Sequence, residues 1–207
     1  ALADVGATGV IVTGTTFEVG EGGPAPHDMA LSPYGLSKTL TNEALRHFAL
    51  WRGLKFGKFV IAAPFGPFEE GRFAWSLFQR WFAGQPGHVK TPRYIRDNIP
   101  APLLGQAYAS LSEGLLESGD PTQLTLRPSG IVGTQEFFAN VVANEMRSRL
   151  GLACDIELSP QLHFVEPEVC INTDCWIPRG GLPATFWDAY AAYYERVAAS
   201  GRLSSPA

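Results

Sequence analysis

Two short apolar runs, and what lies between them, limit the fold more than any other part of the chain. "TGVIVTG" (Thr8 to Gly14) is β-branched, uncharged and closed by glycine, the pattern of a strand buried on both faces of a parallel sheet. "KFVIAAP" (Lys58 to Pro64) is a second such run. Between them, Leu36, Leu40, Leu45 and Phe48 recur at helical spacing from about Tyr34 to Trp51, and Gly53 is placed to stop the helix. Parallel strands need a crossover and the helix supplies one, so the order reads as a βαβ unit of an α/β fold.

The rest of the chain continues in that manner. "AWSLFQRWFAG" (Ala74 to Gly84) reads as a short aromatic helix, and Leu103 to Leu116 as another, with the Pro-x-Pro before it blocking an earlier start. "LTLRPSG" (Leu124 to Gly130) reads as a strand and turn. Thr134 is placed to cap a helix that Gly151 ends. Pro183 opens the last helix, with a loose capping box between Thr185 and Asp188. The opening "ALADVGATGVIV" has no basic n-region or A-x-A cleavage site and reads as the tail of one element entering a buried strand.

Composition excludes several classes of function. The chain has 207 residues and a net charge of −4, with no basic run or stripe, which argues against nucleic-acid or anionic-membrane partners. No apolar run reaches the ~18 residues of a membrane span. The three cysteines, Cys154, Cys170 and Cys175, form no CxxC pair, so a reducing, cytoplasmic setting is expected. With His163 they match no common zinc spacing, and no metal is expected.

The helix after the first strand opens with "SPYGLSK" (Ser32 to Lys38). Residues four apart on a helix share a face, so Tyr34 and Lys38 point the same way. A phenol is a poor base at neutral pH, and an ammonium close to one favours the phenolate. The pair is therefore either a proton-transfer device or two ordinary helix positions. The preceding strand ends in hydroxyls, "VTGTTF", at the end where an open α/β sheet binds ligands.

"GTTFEVGEG" followed by "SPYGLSKTLTNEALRHFA" resembles the active-site region of the extended short-chain dehydrogenase/reductases, the NAD-dependent epimerase/dehydratase family. "FVIAAPFGPFEE", "YIRDNIPAPLLGQAYASL", "LTLRPSGIVGTQEFFANVV" and "EPEVCINTD" with "FWDAYAAYYERV" resemble later family segments in the same order. The resemblance implies the C-terminal part of a Rossmann-like doubly wound parallel sheet with a smaller α/β substrate-binding region. Residues 1–64 would form the second half of the Rossmann-like domain, with part of 100–130 returning to it. Residues 65–200 would be mainly substrate-binding and 201–207 a frayed tail.

It also implies roles. Tyr34 would be the acid/base and Lys38 the residue that holds the nicotinamide ribose, with Pro64 beside the cofactor. Thr15 aligns with the family's catalytic Ser/Thr, and Thr16 is the alternate if the register slips by one. Arg96 would contact nucleotide phosphates, or else pair with Asp97 at the surface, and the sugar pocket would be built from Phe65 to Phe73, the aromatic helix after it and the "TPRYIRDN" loop (Thr91 to Asn98). The implied cofactor is NAD (or NADP), the substrate a nucleotide-sugar, and the assembly a homodimer through the Tyr34 helix.

Five departures from the family pattern stand beside these matches. No "G-x-x-G-x-x-G" turn is present to receive a pyrophosphate. Phe17 falls where dehydratases carry an acid, leaving Glu18 as the only acidic neighbour. Ala63 replaces an expected asparagine and "PAPL" an expected "H-V-x-D". The late loop "HFVEPEV" carries no second arginine. The resemblance thus implies an NAD(P)-dependent nucleotide-sugar epimerase or ketoreductase, and the departures leave as the alternative a non-catalytic binding or assembly domain of the same fold. A sheet edge without its neighbour strands is also expected to make the 207-residue chain poorly soluble or to pair it with another chain.

Overall fold

A computed structural model describes residues 3–119 and 122–203; Ala1, Leu2 and Ser204 to Ala207, at the two ends discussed above, lie outside the described residues. The strand order begins as expected. β1 (Gly9–Thr15), α1 (Pro33–Trp51) and β2 (Lys55–Ile61) form the βαβ unit, with β1 and β2 parallel from Gly9 opposite Lys55 to Thr15 opposite Ile61. β2 starts at Lys55, three residues before the apolar run, because Lys55, Phe56 and Gly57 already pair in register with β1. β3 (Ala63–Phe65) follows directly.

The remaining elements are α2 (Phe73–Phe82), β4 (Gly87–Val89), β5 (Ile95–Pro100), α3 (Ala101–Glu117), β6 (Gln123–Leu126), β7 (Pro128–Ser129), β8 (Ile131–Thr134), α4 (Gln135–Leu150), β9 (Ile156–Leu158), β10 (Val169–Cys170), β11 (Asp174–Cys175) and α5 (Ala184–Ala199). α3 begins earlier than the prolines suggested. Pro100 takes the capping position and Pro102 lies in the first turn, where a missing N–H breaks no helical bond. Thr134 caps α4 as expected, its hydroxyl accepting from the Phe137 N–H at 3.0 Å, and Gly151 ends it with φ of 64°. No side chain caps α5: Asp188 instead takes Arg149 of α4 at 2.7 Å.

β1, β2 and β6 make a parallel sheet with β2 central. Helices cover both of its faces, since Val10 and Val12 pack with Ala49 of α1 while Ile11 packs on the other side with Ala107 and Leu111 of α3. This is the C-terminal part of a Rossmann-like doubly wound sheet. β5 is the hub of a second sheet, pairing with β3 and β10 in parallel and with β8 antiparallel. Beyond it, α2, α4 and α5 enclose the largest core, built on Trp75, Phe78, Trp81, Phe138, Tyr190 and Tyr194. Leu203 is buried in that core, so of the expected tail Gly201 to Leu203 belong to the folded body.

The apolar stripe of α1 faces outward. Gly35, Asn42 and Ala49, seven apart, are the residues turned to the sheet, and their small size lets the helix lie close against it. Leu36, Leu40, Leu45, Phe48 and Trp51 are left exposed, Trp51 at 73%.

Candidate active site

The site is assembled where the βαβ unit turns. β1 and β2 end together at Thr15 and Ile61, and the chain leaves the sheet there. Ser32 caps α1, its hydroxyl accepting from the Gly35 N–H at 3.1 Å, and Pro33 fixes the first turn. Tyr34 is thereby presented at the helix entrance over the strand ends. Gly35 is needed next to it, because a Cβ there would lie 2.3 Å from the Phe17 carbonyl oxygen. Lys38 follows one turn on, with Nζ 5.9 Å from the Tyr34 ring centre and donating to the Thr13 carbonyl at 3.0 Å.

A cavity of about 400 Å³ opens at this point, and Thr15, Thr16, Tyr34, Lys38, Pro64 and Arg96 all line it. Six of the seven residues singled out from the sequence therefore converge, although they span 81 positions from Thr15 to Arg96. Tyr34 is 55% exposed and open to the cavity. Thr15 is half-buried with its hydroxyl accepting from the Phe17 N–H at 3.5 Å, while Thr16 is buried. The seventh, Phe65, does not reach the cavity. It is buried edge-on against Phe138 in the aromatic core, because the strand alternation of β3 turns it away from the sheet end.

Glu18 is occupied elsewhere. It is fully buried beneath β1, accepting from the Thr15 N–H at 2.7 Å and from the Asn42 amide, and paired with Lys58 at 3.0 Å. Gly14 makes room for this return, since a Cβ there would lie 2.5 Å from the Glu18 carboxylate. Lys58 also holds Glu21 at 2.9 Å, and Arg127 reaches Glu21 at 2.6 Å. Two buried carboxylates and two cations thus pin the loop after β1 to the sheet. Glu18 does not line the cavity and supplies it with no acid for elimination.

Arg96 does not pair with Asp97. Its Nη1 donates to the carbonyls of Ile95, Glu168 and Pro167 at 2.9, 3.1 and 3.3 Å, and its Nη2 pairs with Glu166 at 3.0 Å. Its flat face lies on the Tyr94 ring, 4.2 Å from the centre. Asp97 is buried and accepts the backbone N–H groups of Gly130 at 2.6 Å and Asn172 at 3.0 Å; burial still pushes its pKa up against those bonds. Arg72 and Asp97 line the cavity from segments expected to build the sugar pocket, whereas Cys170 was not anticipated; its thiol lies 3.6 Å from the Thr16 carbonyl and is pushed up in pKa by burial. Nothing local marks Cys170, which meets Thr16 only through the pairing of β10 with β5.

A second, outer cavity of about 460 Å³ shares Phe17, Ala63 and Arg96 with the first and adds Phe73, Tyr94, Asn98 and Glu166 among others. It is formed by the segment around Thr91 to Asn98 that the sequence suggested for a substrate pocket, whereas the aromatic helix α2 contributes Phe73 alone and buries the rest of its rings in the core.

Parallel strands ending in hydroxyls, with a tyrosine and lysine one turn apart on the crossover helix, are the features that carry the resemblance to the extended short-chain dehydrogenase/reductases. Solved structures bear out the fold. A UDP-glucose 4-epimerase from Thermotoga maritima, solved with UDP-glucose, matches with a TM-score of 0.65 at 17% identity over 95% of this chain. A Thermus thermophilus UDP-glucose 4-epimerase in complex with NAD matches at 0.64 and 15% over 94%. An NAD-dependent NDP-hexosamine 5,6-dehydratase of tunicamycin biosynthesis matches at 0.62 and 16% over 94%. The chain spans 66% of the length of each of these three. No family profile and no curated protein sequence matches it.

Proposed function

We propose that the chain carries the proton-transfer and substrate-facing part of an NAD(P)-dependent enzyme acting on a nucleotide-sugar, an epimerase or ketoreductase. The observation that carries this reading is the convergence of Thr15, Tyr34 and Lys38 in one cavity at the ends of parallel strands. That placement is where ligand chemistry sits in an open α/β sheet. Tyr34 is the acid/base at the reacting oxygen, and Thr15 is the hydroxyl that hydrogen-bonds the same oxygen. Lys38, already anchored through Thr13, brings positive charge and hydrogen-bond donors to the ribose side, and Pro64 forms the opposing wall. NAD(P) would supply the hydride acceptor and donor, and the donors and walls present fit the nicotinamide end of such a molecule. Elimination is not part of the proposal, because Glu18 is committed to Lys58 and Asn42. A homodimer through α1 belongs to the same proposal and is supported by the exposed Leu36, Leu40, Leu45, Phe48 and Trp51.

The test is Tyr34→Phe in the full protein, with UDP-glucose as substrate, NAD as cofactor and sedimentation run on the same preparation. Turnover should fall ~10²–10⁴-fold, the range for a lost general acid/base, with the melting temperature unchanged because Tyr34 is exposed. A phenylalanine variant keeping half its turnover would sink the reading. A second reading, a non-catalytic binding domain, is favoured by the way Arg96 is tied up by its own chain. NAD titration separates the two, since that reading requires no binding.

A further inference from the structure

Three cations line the inner cavity: Lys38, Arg72 and Arg96. Lys38 donates to the Thr13 carbonyl, and Arg96 is held by Glu166 and by backbone carbonyls. The Arg72 guanidinium makes no hydrogen bond or ion pair with a described residue, and Glu69 acts on it only through its field. Its place at the cavity wall is decided elsewhere. Arg72 ends a strap, Gly66 to Arg72, that joins β3 to α2. The strap passes through positive φ at Gly66, Phe68 and Gly71, with values of 137°, 70° and 67°. Phe68 is not a glycine, so its conformation persists only where the surroundings hold it.

The holding comes from α5 and the turn after it. Tyr190 donates its hydroxyl to the Glu69 carboxylate at 3.2 Å, and Tyr194 donates to the Glu69 carbonyl at 3.4 Å. The Glu69 N–H closes a turn onto the Gly66 carbonyl at 3.3 Å. The Phe68 ring packs on Tyr193 with centres 5.0 Å apart, and Arg202, just past α5, pairs with Glu70. None of these α5 groups lines the cavity; they reach it only through the strap.

We propose that Glu69 is a positioning residue: bound to Tyr190 and Tyr194, it sets the strap so that the free Arg72 guanidinium meets an anionic group of the ligand in the inner cavity. The inference rests on the substrate reading above and deepens it. That reading puts a sugar at Tyr34, and the diphosphate joined to such a sugar is the anion for Arg72, with Arg96 on the same cavity. A guanidinium fork matches phosphate oxygens two at a time.

The test is calorimetric titration of UDP-glucose into the full protein and four variants. Arg72→Gln should weaken binding at least ~10-fold, the worth of one charge-assisted contact. That gap should narrow as salt is raised, because screening weakens a charge contact made by an exposed side chain. Glu69→Ala should weaken UDP-glucose about 3–10-fold on its own but less than about twofold when added to Arg72→Gln, since it acts through that residue. Glu69→Gln keeps an acceptor for the Tyr190 hydroxyl and should bind within about twofold of wild type. Arg72→Gln without effect, a gap indifferent to salt, additive losses in the double variant, or no rescue by glutamine would each overturn the proposal. Failure of the substrate reading looks different: wild type itself would not bind UDP-glucose, and the proposal would go with it.

Discussion

The two halves of the molecule are held together by different physics. Around β1, β2 and β6 the buried apolar clusters are small, Val12, Ala49, Leu54 and Phe56 on one face and Phe59, Ala107 and Leu111 on the other. What fixes the site loop there is polar: Glu18, Glu21, Lys58, Arg127 and Asn42 in one buried network. Around α2, α4 and α5 the cement is aromatic, with Phe78 stacked on Tyr194 at 3.5 Å and 6° and further rings packed edge to face. Close-packed rings give burial energy without directional demands beyond ring geometry, whereas paired charges hold a loop in one position at a large desolvation cost. The half that carries the proposed chemistry is the half positioned by charges, and the half that stabilises the fold leaves its rings away from the inner cavity.

That contrast can be broken most directly in the aromatic half. Phe78→Ala removes a ring with no exposed surface and should cost about 3–5 kcal/mol of unfolding free energy in denaturant titration. A cost below about 1 kcal/mol would mean that the core collapses around the gap and that stability lies elsewhere. In the charged half, Lys58→Met leaves Glu18 facing only neutral donors and should cost about 3 kcal/mol. Adding Glu18→Gln to that variant should recover a good part of the loss, and an unaltered stability in the double variant would show that packing of the lysine stem, not charge, matters there.

The smallest effect tests a half-buried carboxyl on the aromatic side. Glu69 sits against Tyr190, whose hydroxyl donates to it at 3.2 Å, and burial pushes its pKa up from 4.5 to about 7 despite that bond. A carboxyl with a raised folded pKa binds more protons folded than unfolded between those values. Its contribution to stability is therefore greatest below about 4.5 and declines as pH rises to about 7. The slope of unfolding free energy over that window should flatten in Glu69→Gln, and an identical slope would place the titration on another group.

Much of the site was legible because it depends on local order. Tyr34 and Lys38 share a helix face by spacing, Ser32 and Pro33 fix where that helix starts, and Thr15 stands at a strand end whose β-branched run is plain in the sequence. Thr134 and Gly151 likewise announced α4 from both ends. Phe65 was misplaced because an aromatic residue after a strand looks the same whether it faces a ligand or a core; the deciding rings, Phe138, Phe186 and Tyr190, come from α4 and α5. The stripe on α1 gave the helix but not its orientation, which was set by the small residues Gly35, Asn42 and Ala49 fitting closer to the sheet than the large ones could.

The sequence by itself determined the βαβ unit, the Tyr34–Lys38 pair and the hydroxyls at the end of β1, since each follows from periodicity, capping and spacing within some forty residues. Only the tertiary structure decided what Arg96 and Glu18 do. Arg96 meets Glu166 and Glu18 meets Lys58 across 70 and 40 positions of chain, and the partner of a charge is chosen by where the strands β5, β10, β1 and β2 come to lie, which no local pattern encodes.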